Sequence, residues 1–172
     1  TQGYYEDFGG VAPIAATLAS PFFRAGAHSP HRGRRHGLPA ADLPRERFVV
    51  CLQNHDQVGN RAAGDRIGTL VSFARQKVGA LVTLCSGYVP LLFMGEEWGE
   101  TAPFQYFVSH GDVALLDAVR EGRRREFAAF GGAAGWGAEV PDPGDPATFE
   151  RSRPVPARGA ELPHIAMHAL YA

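Results

Sequence analysis

The sequence predicts an α/β fold built around one strand, helix, strand unit, and three observations carry that prediction. Phe48-Val49-Val50-Cys51-Leu52 is an unbroken apolar run that ends in Gln53-Asn54-His55-Asp56. A stretch with apolar residues at Ile67, Val71, Ala74, Val78, Leu81, Val82 and Cys85 follows, spaced by three and four. Tyr88-Val89-Pro90-Leu91-Leu92-Phe93-Met94 then restarts an apolar run, which ends at Gly95-Glu96-Glu97-Trp98.

The first run lacks apolar and polar alternation, so it reads as a strand covered on both faces with polar groups at its C-terminal tip. The middle stretch places its apolar residues on one side of a helical wheel and Ser72, Arg75, Gln76 and Lys77 mostly elsewhere, which predicts an amphipathic helix over 67–85. Ser86-Gly87 stops it, and Pro90 is tolerable only near the beginning of the second strand. Two such strands joined by a helix form a right-handed βαβ unit.

Outside this unit the elements are fewer. Val11, Ile14, Ala15 and Leu18 form a short helical face, with Pro13 in its first turn and Pro21 ending it. A loop rich in Gly, Pro, His and Arg follows. Residues 112–130 predict a further helix, with Asp112 as N-cap and Gly131-Gly132 as its stop. From Gly131 onward the chain is rich in Gly, Pro and Ala, and Pro141-Asp142-Pro143-Gly144-Asp145-Pro146 is too proline-dense for a helix or central strand, so this part reads as loop.

Composition limits the function. With 172 residues and 45% hydrophobic content the chain has material for a core. A formal net charge of −1 supplies no field for nucleic acid, although Arg32, Arg34, Arg35, Arg45 and Arg47 make one stretch basic. The two cysteines, Cys51 and Cys85, sit in apolar surroundings and imply no disulfide framework, which fits a reducing compartment. No apolar run spans a bilayer and no secretory leader pattern opens the chain, so a soluble cytoplasmic protein is expected. The opening residues, with no Met at position 1, suggest a chain that starts inside a longer protein.

Ligands of this fold class bind at the C-terminal ends of strands, which directs attention to Asn54, His55, Asp56 and Gln57 at one end and Glu96 and Glu97 at the other. A His and an Asp flanked by amides offer directional hydrogen bonds to a polyhydroxylated ligand, while the carboxylate stabilises a developing positive centre. The competing reading makes Asp56 a helix cap and His55 a packed core histidine, and gives Glu96 and Glu97 a structural ion pair. His28, His31 and His36 lack the spacing and partners of a metal site, and the arginines of the same loop lack the interleaved aromatics of a nucleic-acid surface. No cofactor-binding motif appears.

Gln53-Asn54-His55-Asp56-Gln57-Val58-Gly59-Asn60-Arg61 together with Pro90-Leu91-Leu92-Phe93-Met94-Gly95-Glu96-Glu97-Trp98 resembles the last two barrel strands of the α-amylase superfamily, and within it the malto-oligosyltrehalose trehalohydrolase family. Gly3-Tyr4-Tyr5-Glu6-Asp7-Phe8, His31 to Gly37, Gly122 to Phe127, Val140 to Pro143 and Ala147 to Ser152 resemble further segments of that family in its usual order. The resemblance implies a partial (β/α)8 TIM barrel, covering about the seventh βα unit and the eighth strand, followed by helix and loop. On this reading residues 1–130 are the C-terminal part of the barrel, and 131–172 a Gly/Pro-rich loop with a divergent tail.

The implied reaction is retaining hydrolysis, with water and no cofactor, of the α-1,4 bond next to the trehalose end of maltooligosyltrehalose. The implied partners are that sugar or a related α-glucan, with neither nucleic acid nor membrane. Asp56 falls on the family's transition-state-stabilising aspartate, His55 and Asn54 on its sugar-binding neighbours, and Gln57 on a family-specific pocket residue, with Glu96 at the rim as a further substrate-binding position. The family's nucleophilic aspartate and acid/base glutamate belong to earlier strands and are missing from the chain. After Ser152 the resemblance is expected to stop, which would leave residues 153–172 loosely attached and outside any pocket. Fragments of a glycogen-branching or debranching enzyme, and a non-catalytic glucan-binding or structural remnant, are the competing functions.

Overall fold

The computed structural model describes residues 7–131 and 140–172. Gly3, Tyr4, Tyr5 and Glu6 of the family-like N-terminal segment lie outside the described residues, as does Gly132 of the expected helix stop. The chain divides into two compact units, one of Thr1–Val50 with Val82–Pro90 and one of Cys51–Leu81 with Leu91–Ala172.

In the first unit, helix α1 (Ala12–Ala19) carries Pro13 in its first turn and closes where Ser20 turns extended, as the sequence predicts. The basic loop forms an antiparallel hairpin of β1 (His28–Ser29) and β2 (Arg34–Arg35), with His28 opposite Arg35. Asp7 anchors it by accepting from the Ser29 hydroxyl and the His31 amide and by pairing with Arg24. The Ser29 hydrogen bond leads in holding the Asp7 carboxyl below the ordinary aspartate range. Strand β3 (Val49–Cys51) pairs with β4 (Val89–Leu91), and the Val89 amide donates to the Phe48 carbonyl at 3.0 Å. Phe22, Phe48 and Tyr88 stack edge to face beside them, and the Tyr88 hydroxyl donates to the Thr17 carbonyl at 2.7 Å.

The strands occur where predicted, but their burial differs. Val49 is 62% exposed, and Val89 and Leu91 are exposed too. Among the described residues this sheet has two strands, β3 and β4, whereas strands of this composition normally lie between neighbours with both faces covered.

The single helix expected over 67–85 is broken. Residues Ile67–Leu70 form α3, Val71 is extended, and α4 spans Phe73–Leu84. Ser72 restarts the helix by accepting from the Arg75 amide, while the Gln76 side chain donates to the carbonyls of Gly68 and Val71 across the break. The buried side of α4 carries Gln76, Ala80 and Thr83, whereas Ala74, Val78, Leu81 and Cys85, on the expected apolar face, are exposed. The helical period is therefore as predicted; within this segment Gln76, Ala80 and Thr83 are covered, Ile67, Val71 and Val82 are half-buried, and the rest of the apolar stripe faces outward.

The second unit is knit by buried polar groups. Arg66, fully buried, donates to the Ala102 carbonyl at 2.7 Å and the Met94 carbonyl at 2.8 Å and lies over the Phe93 ring. Phe93, Phe104, Phe107 and Phe149 form an edge-to-face chain. Gly64, at φ +70°, lets the Phe104 amide reach its carbonyl at 2.8 Å; a Cβ there would lie 2.5 Å from the Phe104 oxygen. The helix preceding the C-terminal region, α5 (Val113–Gly131), is capped as expected by Asp112, which accepts from the amides of Ala114 and Leu115.

Two helices stand where the sequence predicts loop. Asp145 caps α6 (Pro146–Arg151), with Pro146 in the first turn, where its missing amide costs nothing. Helix α7 (His164–Tyr171) packs on the 3₁₀ turn Glu96–Trp98, with Met167 fully buried and His164 Nδ1 2.8 Å from the Trp98 carbonyl. Upstream, the Val155 amide and the Arg158 guanidinium both donate to the Glu100 carboxylate. Residues 153–172 are thus attached at several points, contrary to expectation. The run Ile165–Tyr171 is too short to be helical alone, but tertiary contacts supply what propensity does not.

Candidate functional site

The most chemically suggestive turn follows β3. Asn54 is extended, and its Oδ1 accepts from the Gln57 amide at 3.0 Å, making it the N-cap of α2 (His55–Gly59). Its Nδ2 donates to Cys51 Sγ at 3.5 Å, tying the cap back to the strand. Val58 and Gly59 are buried, so the helix is fixed by its second half while its first turn is presented to solvent. His55 Nε2 lies 3.2 Å from Asp56 Oδ1, with the two side chains 71% and 75% exposed, and Gln57 is exposed beside them.

This arrangement removes the structural alternative for both residues. Asn54 does the capping that was open to Asp56, and His55 is not a core histidine. What remains is an imidazole and a carboxylate side by side in the first turn of α2, both exposed in this segment.

Glu96 sits differently. It is 4% exposed, its Oε1 accepts from the Tyr171 hydroxyl at 3.0 Å, and its Oε2 is buried without a hydrogen-bond partner among the described residues. Burial pushes its carboxyl above the ordinary glutamate range; Tyr171 and Gln53 hydrogen bonding opposes that rise and the Glu97 charge adds to it. The Tyr171 phenol is raised in turn, by burial first and then by the Glu96 charge. Glu97 accepts from the Gly95 amide at 3.1 Å, a local backbone contact in place of the ion pair considered from sequence.

Gln53, also buried, accepts from the Ile67 amide at 3.1 Å and lies beside Glu96. A cavity of about 10 Å³, room for about one water, is lined by Gln53, Ile67, Gln76, Glu96, Met167 and Tyr171 among others. The structure therefore brings Asn54, His55, Asp56 and Gln57 together on one turn and places Glu96 apart from them, in the cavity lining. Sequence reasoning missed the part of Met167 and Tyr171. Their spacing of four, on one face of an apolar run, was the available signal.

Among the described residues no three His, Cys, Asp or Glu side chains gather as a metal site would require, and no helix is long and apolar enough to cross a membrane.

No family model matches the sequence. A malto-oligosyltrehalose trehalohydrolase of Mycobacterium tuberculosis (strain H37Rv) is 43% identical over 172 residues, covering 99% of this chain and 29% of that protein. The enzyme of the same name from Brevibacterium helvolum is 46% identical over 156 residues, 89% of this chain and 26% of that protein. A crystal structure from Salmonella typhimurium, designated an alpha amylase, superposes with a TM-score of 0.88 at 44% identity, over 99% of this chain and 29% of that one. The chain is homologous to malto-oligosyltrehalose trehalohydrolases of the α-amylase superfamily. It spans less than a third of the length of the trehalohydrolases it matches. The match to the Mycobacterium trehalohydrolase takes in 99% of the chain, so the resemblance continues past Ser152, where it was expected to stop.

Proposed function

We propose that this chain is a segment of a retaining glycoside hydrolase that cleaves the α-1,4-glucosidic bond next to the trehalose end of maltooligosyltrehalose and releases trehalose. The observation that carries the reading is the exposed His55 and Asp56 pair on the capped start of α2, within a segment homologous to trehalohydrolases. In this proposal the segment forms about the seventh βα unit and the eighth strand of a (β/α)8 barrel in the cytoplasm.

The roles follow from chemistry. The Asp56 carboxylate stabilises the positive charge that develops on an oxocarbenium-like transition state, while His55 and Gln57 hydrogen-bond sugar hydroxyls. Asn54 orients the turn through its cap and faces the same sugar. Glu96, assigned to substrate binding from sequence, shapes the pocket from its buried position. A retaining mechanism also needs a nucleophile and an acid/base, and this proposal assigns both to parts of the enzyme outside the chain.

The test is product analysis of the full-length enzyme carrying this segment, incubated with maltooligosyltrehalose. Free trehalose as the product, lost on Asp56→Asn, is the expected result. Transfer to a new α-1,6 branch would assign it to the branching enzymes instead. Binding of maltooligosaccharide without consumption would make it a non-catalytic glucan-binding module.

A further inference from the structure

Two buried residues, Gln53 and Glu96, and half-buried Tyr171 link the C-terminal helix to the candidate site. The Tyr171 hydroxyl donates to Glu96 Oε1 at 3.0 Å, across 75 positions of sequence. Gln53 lines the same small cavity as that carboxyl, and its side chain accepts from the Ile67 amide at 3.1 Å. The next residue is Asn54, whose side chain caps α2 and sets where His55 and Asp56 point. At the far end, α7 is itself fixed by fully buried Met167 and by His164 on the Trp98 carbonyl.

We propose that Gln53, Glu96 and Tyr171, which line one small cavity, form a polar relay through which the C-terminal helix holds the Asn54–Gln57 turn in place, making Glu96 and Tyr171 positioning residues for Asp56. The proposal rests on the reading of that turn as a sugar-binding site.

Two features favour a positioning role over plain packing. A carboxyl buried with one oxygen unpaired is costly, and an apolar side chain in a cavity with room for about one water would avoid that cost. A hydrogen-bonded network fixes direction as well as distance, which apolar packing does more loosely. Burial pushes Glu96 toward its neutral form, in which an amide of the same shape is a close substitute.

The relay is tested in the full-length enzyme with Tyr171→Phe, Glu96→Leu and Glu96→Gln, and Asp56→Asn as control. Tyr171→Phe and Glu96→Leu are expected to lower kcat by about tenfold to a hundredfold, because a small misplacement of a catalytic group has effects of that order. KM should rise as well, since His55 and Gln57 move with the turn, and Glu96→Gln, which can still accept from Tyr171, should restore both values toward wild type. In Tyr171→Phe the ring resonances of His55 should shift, a readout that does not depend on turnover. Unchanged kcat in Tyr171→Phe and Glu96→Leu overturns the relay, and so does a fall in kcat with the His55 resonances unmoved. Wild-type turnover by Asp56→Asn sinks the assigned function instead, and the His55 resonances then judge the relay by themselves.

Discussion

Arg66 Nη1 donates to the main-chain oxygen of Met94 at 2.8 Å, from a side chain with no exposed surface, while its Nε serves the Ala102 carbonyl at 2.7 Å. One planar fork thus satisfies two backbone acceptors of the segment after β4, and its stacking on Phe93 fills the space beneath. Burial is the leading influence on this guanidinium, lowering its proton affinity, with Glu100, Glu96 and Glu97 opposing that effect.

Replacing Arg66 by Ala should therefore be among the most damaging substitutions in the chain. It removes the donor from both carbonyls and opens a cavity against Phe93, a loss of about 3 kcal/mol or more. Arg66→Lys should recover only part of this, since a single ammonium cannot reproduce the fork. Denaturant unfolding of the enzyme carrying this segment, with each variant compared at its midpoint, checks the order.

Asp56→Asn should nearly abolish turnover in the full-length enzyme while leaving its fold intact. The carboxylate is three-quarters exposed and caps nothing, so its loss costs the fold little. An electrostatic stabiliser of the transition state is typically worth about 3 to 4 kcal/mol. Asp65→Asn is the contrast: its pairing with Arg61 at 3.4 Å is partly exposed and worth under about 1 kcal/mol. Steady-state rates for the two variants, with circular dichroism as the fold control, separate them.

The elements around this site were legible because their signals are local. Asp112 caps the helix that follows it, and the apolar run before Gln53 forms a strand with its polar tip at a turn, where Asn54 takes the capping place the sequence offered to Asp56. What could not be read depended on neighbours distant in sequence. The period of residues 74–85 marks an apolar face, but Gln76 is buried, with its side chain bonded back across the α3 to α4 break, and Ala80 and Thr83 are buried on its side of the helix. Glu96 looked like a rim residue at a strand end, and the helix that covers it begins 68 positions later, at His164.

The attachment of residues 153–172 should be strongest in a limited pH window. Glu100 is pushed up by burial, but the amides of Ala102, Val155 and Thr101 and the Trp98 indole outweigh this and hold it below the ordinary glutamate range. Its contribution is therefore complete above the unfolded glutamate pKa and lost as pH falls through the lower folded value. Glu96 has the opposite sign. Raised in the fold, it contributes fully below the unfolded pKa and progressively less as pH rises through the folded value. Hydrogen exchange of the α7 amides, corrected for intrinsic rates, should show protection falling on both sides of the window. Glu100→Gln should remove the acid-side loss of protection, and Glu96→Gln the loss on the other side.

Expressed alone, residues 1–172 should hydrolyse no maltooligosyltrehalose and should associate with rising concentration. The chemical half follows from the proposed function: Asp56 can stabilise charge, but one group cannot also protonate the leaving oxygen and attack the anomeric carbon. Glu96 offers no replacement, since its carboxyl is buried against Tyr171. The physical half follows from surface. Val78 is 63% and Leu81 53% exposed on one side of α4, and Leu91, Leu92 and Met94 are exposed along and beyond β4. Apolar groups gathered in this way gain free energy by leaving water, at about 25 cal/mol for each Å² covered. Unpaired strand edges add a second route to association. Val78→Glu with Leu81→Lys should lower the tendency without unfolding the chain, because both side chains already face solvent. Sedimentation across a concentration series reads the effect. A monomer at every concentration, with a sharp cooperative unfolding transition, would refute the association half and leave the chemical half standing. Trehalose released by the purified chain, and lost on mutating Glu96 or Glu97, would refute the chemical half.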